Sequence, residues 1–360
     1  MRVGYKRIAV KIGSNVLSRR DGTLDITRMS ALVDQIAELR RGGVDVVIIS
    51  SGAVASGRSE MHDSGKRLDP VSARQLYSAV GQAKLINRYF ELFRDHGLTC
   101  GQVLTTKENF ATRRHYLNQK HCMEVMLAND VIPIINENDT VSVTELMFTD
   151  NDELSGMIAS MMGMEALIIL SNIDGIYDGD PADSASKVIA DIYQSTDATS
   201  YIQKGKSSMG RGGMSTKYRI ARKVASEGIA VVIANGKRDN ILTALVSGED
   251  VPHTLFHPAD EPTSGVKKWI AHSEGFAKGE LRINPGAADA ILSRSGASLL
   301  GVGVTDVAGD FEKDDIVKVI APGGEVIALG RVAYSAEAAR KNVGRAGIKP
   351  FIHSDYLYID

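Results

Sequence analysis

Residues 7–14 read RIAVKIGS, and this stretch decides the fold. Ile8, Ala9, Val10 and Ile12 form a short apolar run with little polar alternation. A run of this kind suits a strand covered on both faces, as in a parallel sheet. Lys11, near the end of the run, is costly to bury unless it meets an anion. Gly13 would let backbone N–H groups approach that anion closely. The plain alternative is a lysine that reaches solvent past the strand end.

Similar runs recur downstream. Val44–Ser50, Thr99–Leu104, Val131–Ile135, Ala166–Ser171 and Ile229–Ala234 are short, rich in Val, Ile and Leu, and bounded by Gly, Pro, Asn or Ser. Helical patterns lie between them. Ile26, Met29, Leu32, Val33, Ile36 and Leu39 follow helical spacing, and Gly42-Gly43 ends that helix. Val71–His96, Arg113–Ala128, Asp152–Met162 and Ser215–Ser226 also read as helices. The alternation predicts an α/β fold: a three-layer αβα sandwich with a mostly parallel central sheet. Ligands in such sheets bind at the carboxyl ends of the strands.

The chain has 360 residues, which favours two domains over one. Residues 1–257 form the expected catalytic domain. Residues 258–268 have the Pro, Ser and Gly content of a linker. Residues 269–360 carry the strand-like runs Ser298–Val304, Ile316–Ile320 and Val326–Ala333, and read as a small, mostly β domain with a C-terminal tail.

A net charge of −2 gives no reason to expect nucleic acid or an anionic membrane as a partner. Between Lys267 and Arg345 there are eleven Lys or Arg against ten Asp or Glu, without the basic stripe of an RNA binder. The two cysteines, Cys100 and Cys122, sit in no metal-ligand pattern and fit a reduced cytoplasmic protein. No signal-peptide pattern opens the chain, and no apolar run is long enough to span a membrane.

The strand-end loops carry the polar clusters. Ser50-Ser51-Gly52-Ala53 leads into a helix and would present backbone N–H groups to a carboxylate or phosphate. Asn136-Glu137-Asn138-Asp139 and Asp150-Asn151-Asp152 could grip an amino acid or orient lysines. They are also ordinary turn formers and N-caps. Ser171-Asn172-Ile173-Asp174-Gly175 follows the fifth run. Gly212-Gly213-Met214-Ser215-Thr216-Lys217 opens a helix and reads as a phosphate cradle or a glycine hinge. A lysine in a first helical turn opposes the helix dipole, which favours an anion near Lys217. A Walker A loop, a GxGxxG turn after the first strand, H-E-x-x-H and G-x-S-x-G are all missing.

Together, the order and spacing of these loops resemble the amino acid kinase family, in particular its members that phosphorylate glutamate. The resemblance rests on Lys11-Ile12-Gly13-Ser14, Ser50-Ser51-Gly52-Ala53, Ile135-Asn136-Glu137-Asn138-Asp139, Asp150-Asn151-Asp152, Asp174-Gly175-Ile176-Tyr177 and Gly212–Lys217. Gly296-Ala297-Ser298-Leu299-Leu300 and Val307-Ala308-Gly309-Asp310-Phe311 are similar to a PUA module.

The resemblance implies that Lys11, Lys217 and Asp152 are catalytic, with Asp152 orienting the lysines. It implies that Ser51, Gly52, Asn136, Asp139, Asp150 and Asn151 bind the amino acid. It implies that Lys11, Ser171, Asn172, Arg211, Gly212, Gly213, Met214, Ser215, Thr216 and Lys217 bind the nucleotide. It further implies ATP and Mg²⁺ with unassigned metal ligands, L-glutamate as acceptor, proline as feedback inhibitor and a homo-oligomer (dimer or tetramer). The product would pass to a glutamyl phosphate reductase in proline biosynthesis. Two positions depart from the family pattern: Asn172 stands where Asp is usual and Arg211 where Thr is usual. Acetylglutamate, aspartate or a nucleotide as acceptor, and an RNA-binding or regulatory protein on a kinase-like fold, are the rival readings.

The chemistry agrees with a carboxylate acceptor. A glutamate side chain, with a pKa of about 4.3, is already an ionised nucleophile at neutral pH. It needs no general base, only positioning and positive charge.

Overall fold

The computed structural model describes residues 4–61, 68–141, 150–196, 213–260, 265–293 and 296–359. The chain divides into two compact units. One holds residues 1–107 and 118–262, the other 108–117 and 263–360.

The first unit is built on an eight-stranded sheet. Its strands are β1 (Arg7–Ile12), β2 (Asp45–Ser50), β3 (Thr99–Thr105), β4 (Val131–Glu137), β5 (Ala166–Ser171), β6 (Asp191–Ile192), β7 (Ala230–Asn235) and β8 (His253–Phe256), in the order β3-β4-β2-β1-β5-β7-β8-β6. From β3 to β7 every pairing is parallel; β8 runs antiparallel to β7. β1 lies between β2 and β5, so Lys11 pairs in register with Ile49 on one side and Ile169 on the other. All six residues of β5 and five of the six of β1 and of β2 are buried. That is why these strands read as continuous apolar runs.

The helices that matter for the site are α1 (Ser14–Leu17), α2 (Ile26–Arg41), α3 (Ala53–Glu60), α4 (Pro70–Asp95), α5 (Glu108–Ala111), α6 (Arg113–Ala128), α7 (Asn151–Met162) and α8 (Met214–Ser226). Local chemistry sets their ends. Asp69 caps α4 through Val71 N and Ser72 N, each 3.0 Å away, with Pro70 in the first turn. α7 starts on Asp150 and stops at Gly163, whose φ of 60° is left-handed.

The α3–α4 crossing brings backbone against backbone. A Cβ at Gly81 would fall 1.8 Å from the Ala53 carbonyl oxygen, and one at Gly57 would fall 1.8 Å from that of Tyr77. Glycine at both positions lets the backbones meet at that distance.

The second unit has a separate five-stranded sheet, order β10-β9-β11-β12-β13: β9 (Gly279–Ile283), β10 (Val304–Gly309), β11 (Ile316–Ile320), β12 (Val326–Arg331) and β13 (Leu357–Ile359). Leu281, Val317, Phe351 and Ile352 lie at its centre, fully buried. Residues 108–117, far away in sequence, belong to this unit. Trp269 Nε1 donates to the Phe110 carbonyl at 2.9 Å, and the Arg113 guanidinium lies 5.7 Å from the indole centroid.

The expected strand Ser298–Val304 is instead a bridge at Leu299, a turn at Gly301–Gly303 and a strand that starts at Val304. Gly301 explains the break: its backbone is so close to Arg345 that a Cβ would lie 2.6 Å from that carbonyl oxygen.

Gly81→Ala tests the crossing. Alanine would gain about 1 kcal/mol in helix propensity. The forced separation of α3 and α4 costs about 1–3 kcal/mol or more. We expect a net loss of stability in urea denaturation; equal or greater stability would show that the crossing yields easily.

Candidate active site

The loops after β1, β2, β4 and β5 and the N-termini of α7 and α8 carry the polar residues of interest. At the centre is Asp152, in the first turn of α7 and fully buried. Its Oδ1 lies 2.5 Å from Lys11 Nζ, and its Oδ2 accepts from Lys217 Nζ at 2.9 Å. Lys11 is the penultimate residue of β1, Lys217 sits in the first turn of α8, and both are buried. One carboxylate therefore joins a strand and two helices. Burial alone would raise the Asp152 pKa, but the two lysine charges hold it below the ordinary carboxylate value.

Asp150 caps α7. Its Oδ1 accepts from Asp152 N at 2.9 Å and Glu153 N at 3.0 Å. Its Oδ2 is buried with no hydrogen-bond partner among the described residues. Burial, and then the charge of Asp152, push its pKa up. The plain cap reading of Asp150 is therefore correct for one of its oxygens, while the other faces a cost that a bound donor would remove.

A second cluster lies beside the first. Asn151 Nδ2 is 2.9 Å from the Ser50 carbonyl, 2.9 Å from Ser51 Oγ and 3.1 Å from Asn136 Oδ1. This amide ties α7 to the ends of β2 and β4. Asn136 Oδ1 also accepts from Glu137 N at 2.9 Å, and its Nδ2 donates to Gln82 Oε1 at 2.8 Å. Gly52, with φ 100°, makes the left-handed turn between Ser51 and α3.

Asp139 stands slightly apart, held from α4. Arg74 Nε donates to its Oδ1 at 2.7 Å, and Ser78 Oγ lies 3.4 Å from its Oδ2. Arg74 also reaches Glu137 Oε2 at 3.0 Å. The sequence reading missed Arg74, Ser78 and Gln82. Their signal was available: three polar side chains at a spacing of four, on one face of a predicted helix.

The expected nucleotide loops lie on the other side of β1. Ser171 ends β5, buried, and Asn172 beyond it is exposed. Gly213 is the N-cap residue of α8 and has no side chain to cap it. Met214 and Thr216 are half-buried and Ser215 is exposed. Arg211 and Gly212 lie outside the described residues. Gly13 follows Lys11, and a Cβ there would sit 3.0 Å from the Leu170 carbonyl oxygen. Asp174 is gripped by Arg238 at 2.7 and 2.8 Å and by Asn235 at 3.0 Å, which lowers its pKa, the Arg238 hydrogen bonds contributing most.

The donor set is that of an anion site. Two ammonium groups converge at strand ends, and an uncapped glycine opens α8. Among the described residues no group of three His, Cys, Asp or Glu could hold a metal ion. A divalent ion would fit here only if phosphate oxygens and water supplied most of its ligands.

Residues 6–235 match the amino acid kinase family and residues 279–350 match the PUA domain, so the chain belongs to the amino acid kinase family and carries a C-terminal PUA domain. It is 64% identical to the glutamate 5-kinase of Bacteroides thetaiotaomicron over the whole of both chains. It is 46% identical to that of Chlorobaculum tepidum, over 99% of this chain and 98% of the relative. The glutamate 5-kinase of Myxococcus xanthus is 38% identical over 99% and 93%.

Asp152→Asn should cost several kcal/mol, about 3–5, because it leaves two buried ammonium groups without their carboxylate. The sign of the pH effect follows from the lowered pKa. Asp152 stabilises the fold above the unfolded carboxylate value of about 3.9, and that contribution fades as pH falls through its lower folded value. Denaturation at several pH values should give a flatter acid limb for Asp152→Asn than for the wild type; parallel limbs would refute the charge account.

Proposed function

We propose that this chain transfers the γ-phosphoryl group of ATP to the side-chain carboxylate of L-glutamate, giving L-glutamyl 5-phosphate, the first step of proline biosynthesis. The observation that carries the reading is the buried Lys11–Asp152–Lys217 bridge at the strand ends, beside the Ser51–Asn151–Asn136 cluster. The relatives named glutamate 5-kinase support the choice of acceptor.

In this reading an ionised carboxylate oxygen of glutamate attacks the γ-phosphorus. The new O–P bond forms as the bond from phosphorus to the β–γ bridging oxygen breaks, and the electron pair leaves with ADP. No proton needs to move at the nucleophile. The obstacle is bringing one anion to another, and positioning with positive charge overcomes it. Lys11 and Lys217 would sit against the transferring group, each aimed by one oxygen of Asp152. Ser51, Gly52, Asn136, Asp139, Asp150 and Asn151 would hold glutamate. Ser171, Asn172 and the segment from Arg211 to Lys217 would hold the nucleotide. Mg²⁺ entering with ATP would neutralise part of the nucleotide's charge, with few of its ligands from the described residues.

The remaining assignments follow the same reading. The enzyme would work in the cytoplasm as a homo-oligomer, be inhibited by proline at the glutamate site, and pass its reactive product to a reductase. None of the described helices is long and apolar enough to cross a membrane. The PUA domain would serve assembly or regulation, since its charge balance does not favour RNA.

γ-Glutamyl hydroxamate should form from L-glutamate, ATP, Mg²⁺ and hydroxylamine, and proline should suppress it. Lys11→Ala should abolish it, and Lys217→Ala should lower kcat by at least about a hundredfold with little change in glutamate KM. ADP release with a different acceptor, and none with glutamate, would overturn the substrate assignment.

A further inference from the structure

We propose that Arg74, Ser78 and Gln82, one face of α4, are the positioning residues that fix how the pocket reads the amino group of its substrate. The proposal rests on the glutamate reading above and adds residues to it that do not touch the reacting atoms.

Backbone atoms settle the orientation of both asparagine amides. The Glu137 N–H can only donate, so the Asn136 atom 2.9 Å from it must be the oxygen. The nitrogen of Asn136 is then turned to Gln82 Oε1, at 2.8 Å. The Ser50 carbonyl can only accept, so the Asn151 atom 2.9 Å from it must be the nitrogen. Its two N–H bonds are shared among that carbonyl, Ser51 Oγ at 2.9 Å and Asn136 Oδ1 at 3.1 Å. Asn151 is therefore left with its oxygen as an acceptor, and Ser51, having accepted, keeps its O–H to donate.

Gln82 closes this chain. It is 7% exposed, and its oxygen takes the Asn136 nitrogen. One and two helical turns earlier, Ser78 (1% exposed) and Arg74 hold the two oxygens of Asp139. Arg74 at the same time holds Glu137, the residue whose N–H orients Asn136. All three side chains thus act on the end of β4 and the start of the loop after it, from a helix that Gly57 and Gly81 lock against α3. They place two acceptors, Asp139 and Asn151 Oδ1, for an ammonium group, and a donor, Ser51, for a carboxylate. A primary amine on the acceptor is then recognised through groups that α4 orients.

The test compares L-glutamate with glutarate, which has the same carboxylates and no amine, in the hydroxamate assay. The wild type should prefer glutamate strongly in kcat/KM. Arg74→Met and Gln82→Leu should each raise glutamate KM about tenfold or more, with kcat and ATP KM within about threefold of wild type. The preference over glutarate should shrink by the same factor, while melting curves show folded protein. Gln82→Glu keeps an accepting oxygen and should retain most of the preference. An unchanged glutamate-to-glutarate ratio in folded Arg74→Met and Gln82→Leu overturns the proposal and leaves the glutamate reading intact. Loss in Gln82→Glu as severe as in Gln82→Leu overturns the hydrogen-bond account. A wild type inactive on glutamate overturns both.

Discussion

Asp152 takes Lys11 on one oxygen and Lys217 on the other, and the site depends on that division. Neither lysine is stable where it lies without a carboxylate, because burying an ammonium group costs several kcal/mol. Asp152, fully buried, would be equally costly without them. The three groups are tolerable only together. Each also comes from a different element, so their mutual requirement fixes the end of β1 against the starts of α7 and α8. If the proposed phosphoryl transfer is correct, an arrangement held in this way would present two ammonium groups without rearrangement, the property that electrostatic catalysis requires.

The sequence made some of this legible and hid the rest for physical reasons. β1, β2 and β5 were plain because strands buried on both faces leave a nearly unbroken apolar run. β8, with alternating burial, and the two-residue β6 leave almost no such trace. The placement of Lys11 and Lys217 was readable because each violates a local rule: one is a charge at the end of a core strand, the other a cation at the positive end of a helix. Their shared partner Asp152 could be suggested by resemblance, but the pairing is a matter of distance and needed coordinates. Arg74, Ser78 and Gln82 left no such mark, because polar side chains on a long helix look like an ordinary solvated face until the loop they hold is placed against them. The grouping of residues 108–117 with the second unit was also invisible, since nothing local to that segment names Trp269 as its partner.

The amide chain from Gln82 through Asn136 to Asn151 shows why polar residues in a buried site are a more constrained choice than their small size suggests. Each amide has two ends that look alike in shape and are opposite in hydrogen bonding. Two backbone groups, the Glu137 N–H and the Ser50 carbonyl, remove that ambiguity. The backbone thereby determines the polarity of side chains a full residue or more away, and a single reversed amide would leave several buried groups unpaired at once.

The glycine crossing of α3 and α4 has a consequence for the reach of the pocket. One wall begins at Gly52, where α3 starts; the other is the α4 face that steadies the loop after β4. With carbonyl oxygens standing where a Cβ would otherwise be, these walls cannot slide outward or inward without losing the contact between their backbones. The separation of these two helices behaves as a fixed gauge. Under the proposed glutamate reading, single side-chain changes on α4 could retune the polarity around Asp139 and Asn136, while the spacing of α3 and α4 is set by main-chain atoms. A change of gauge would require coordinated replacement on both helices, which makes acceptor length a slower trait to evolve than acceptor charge.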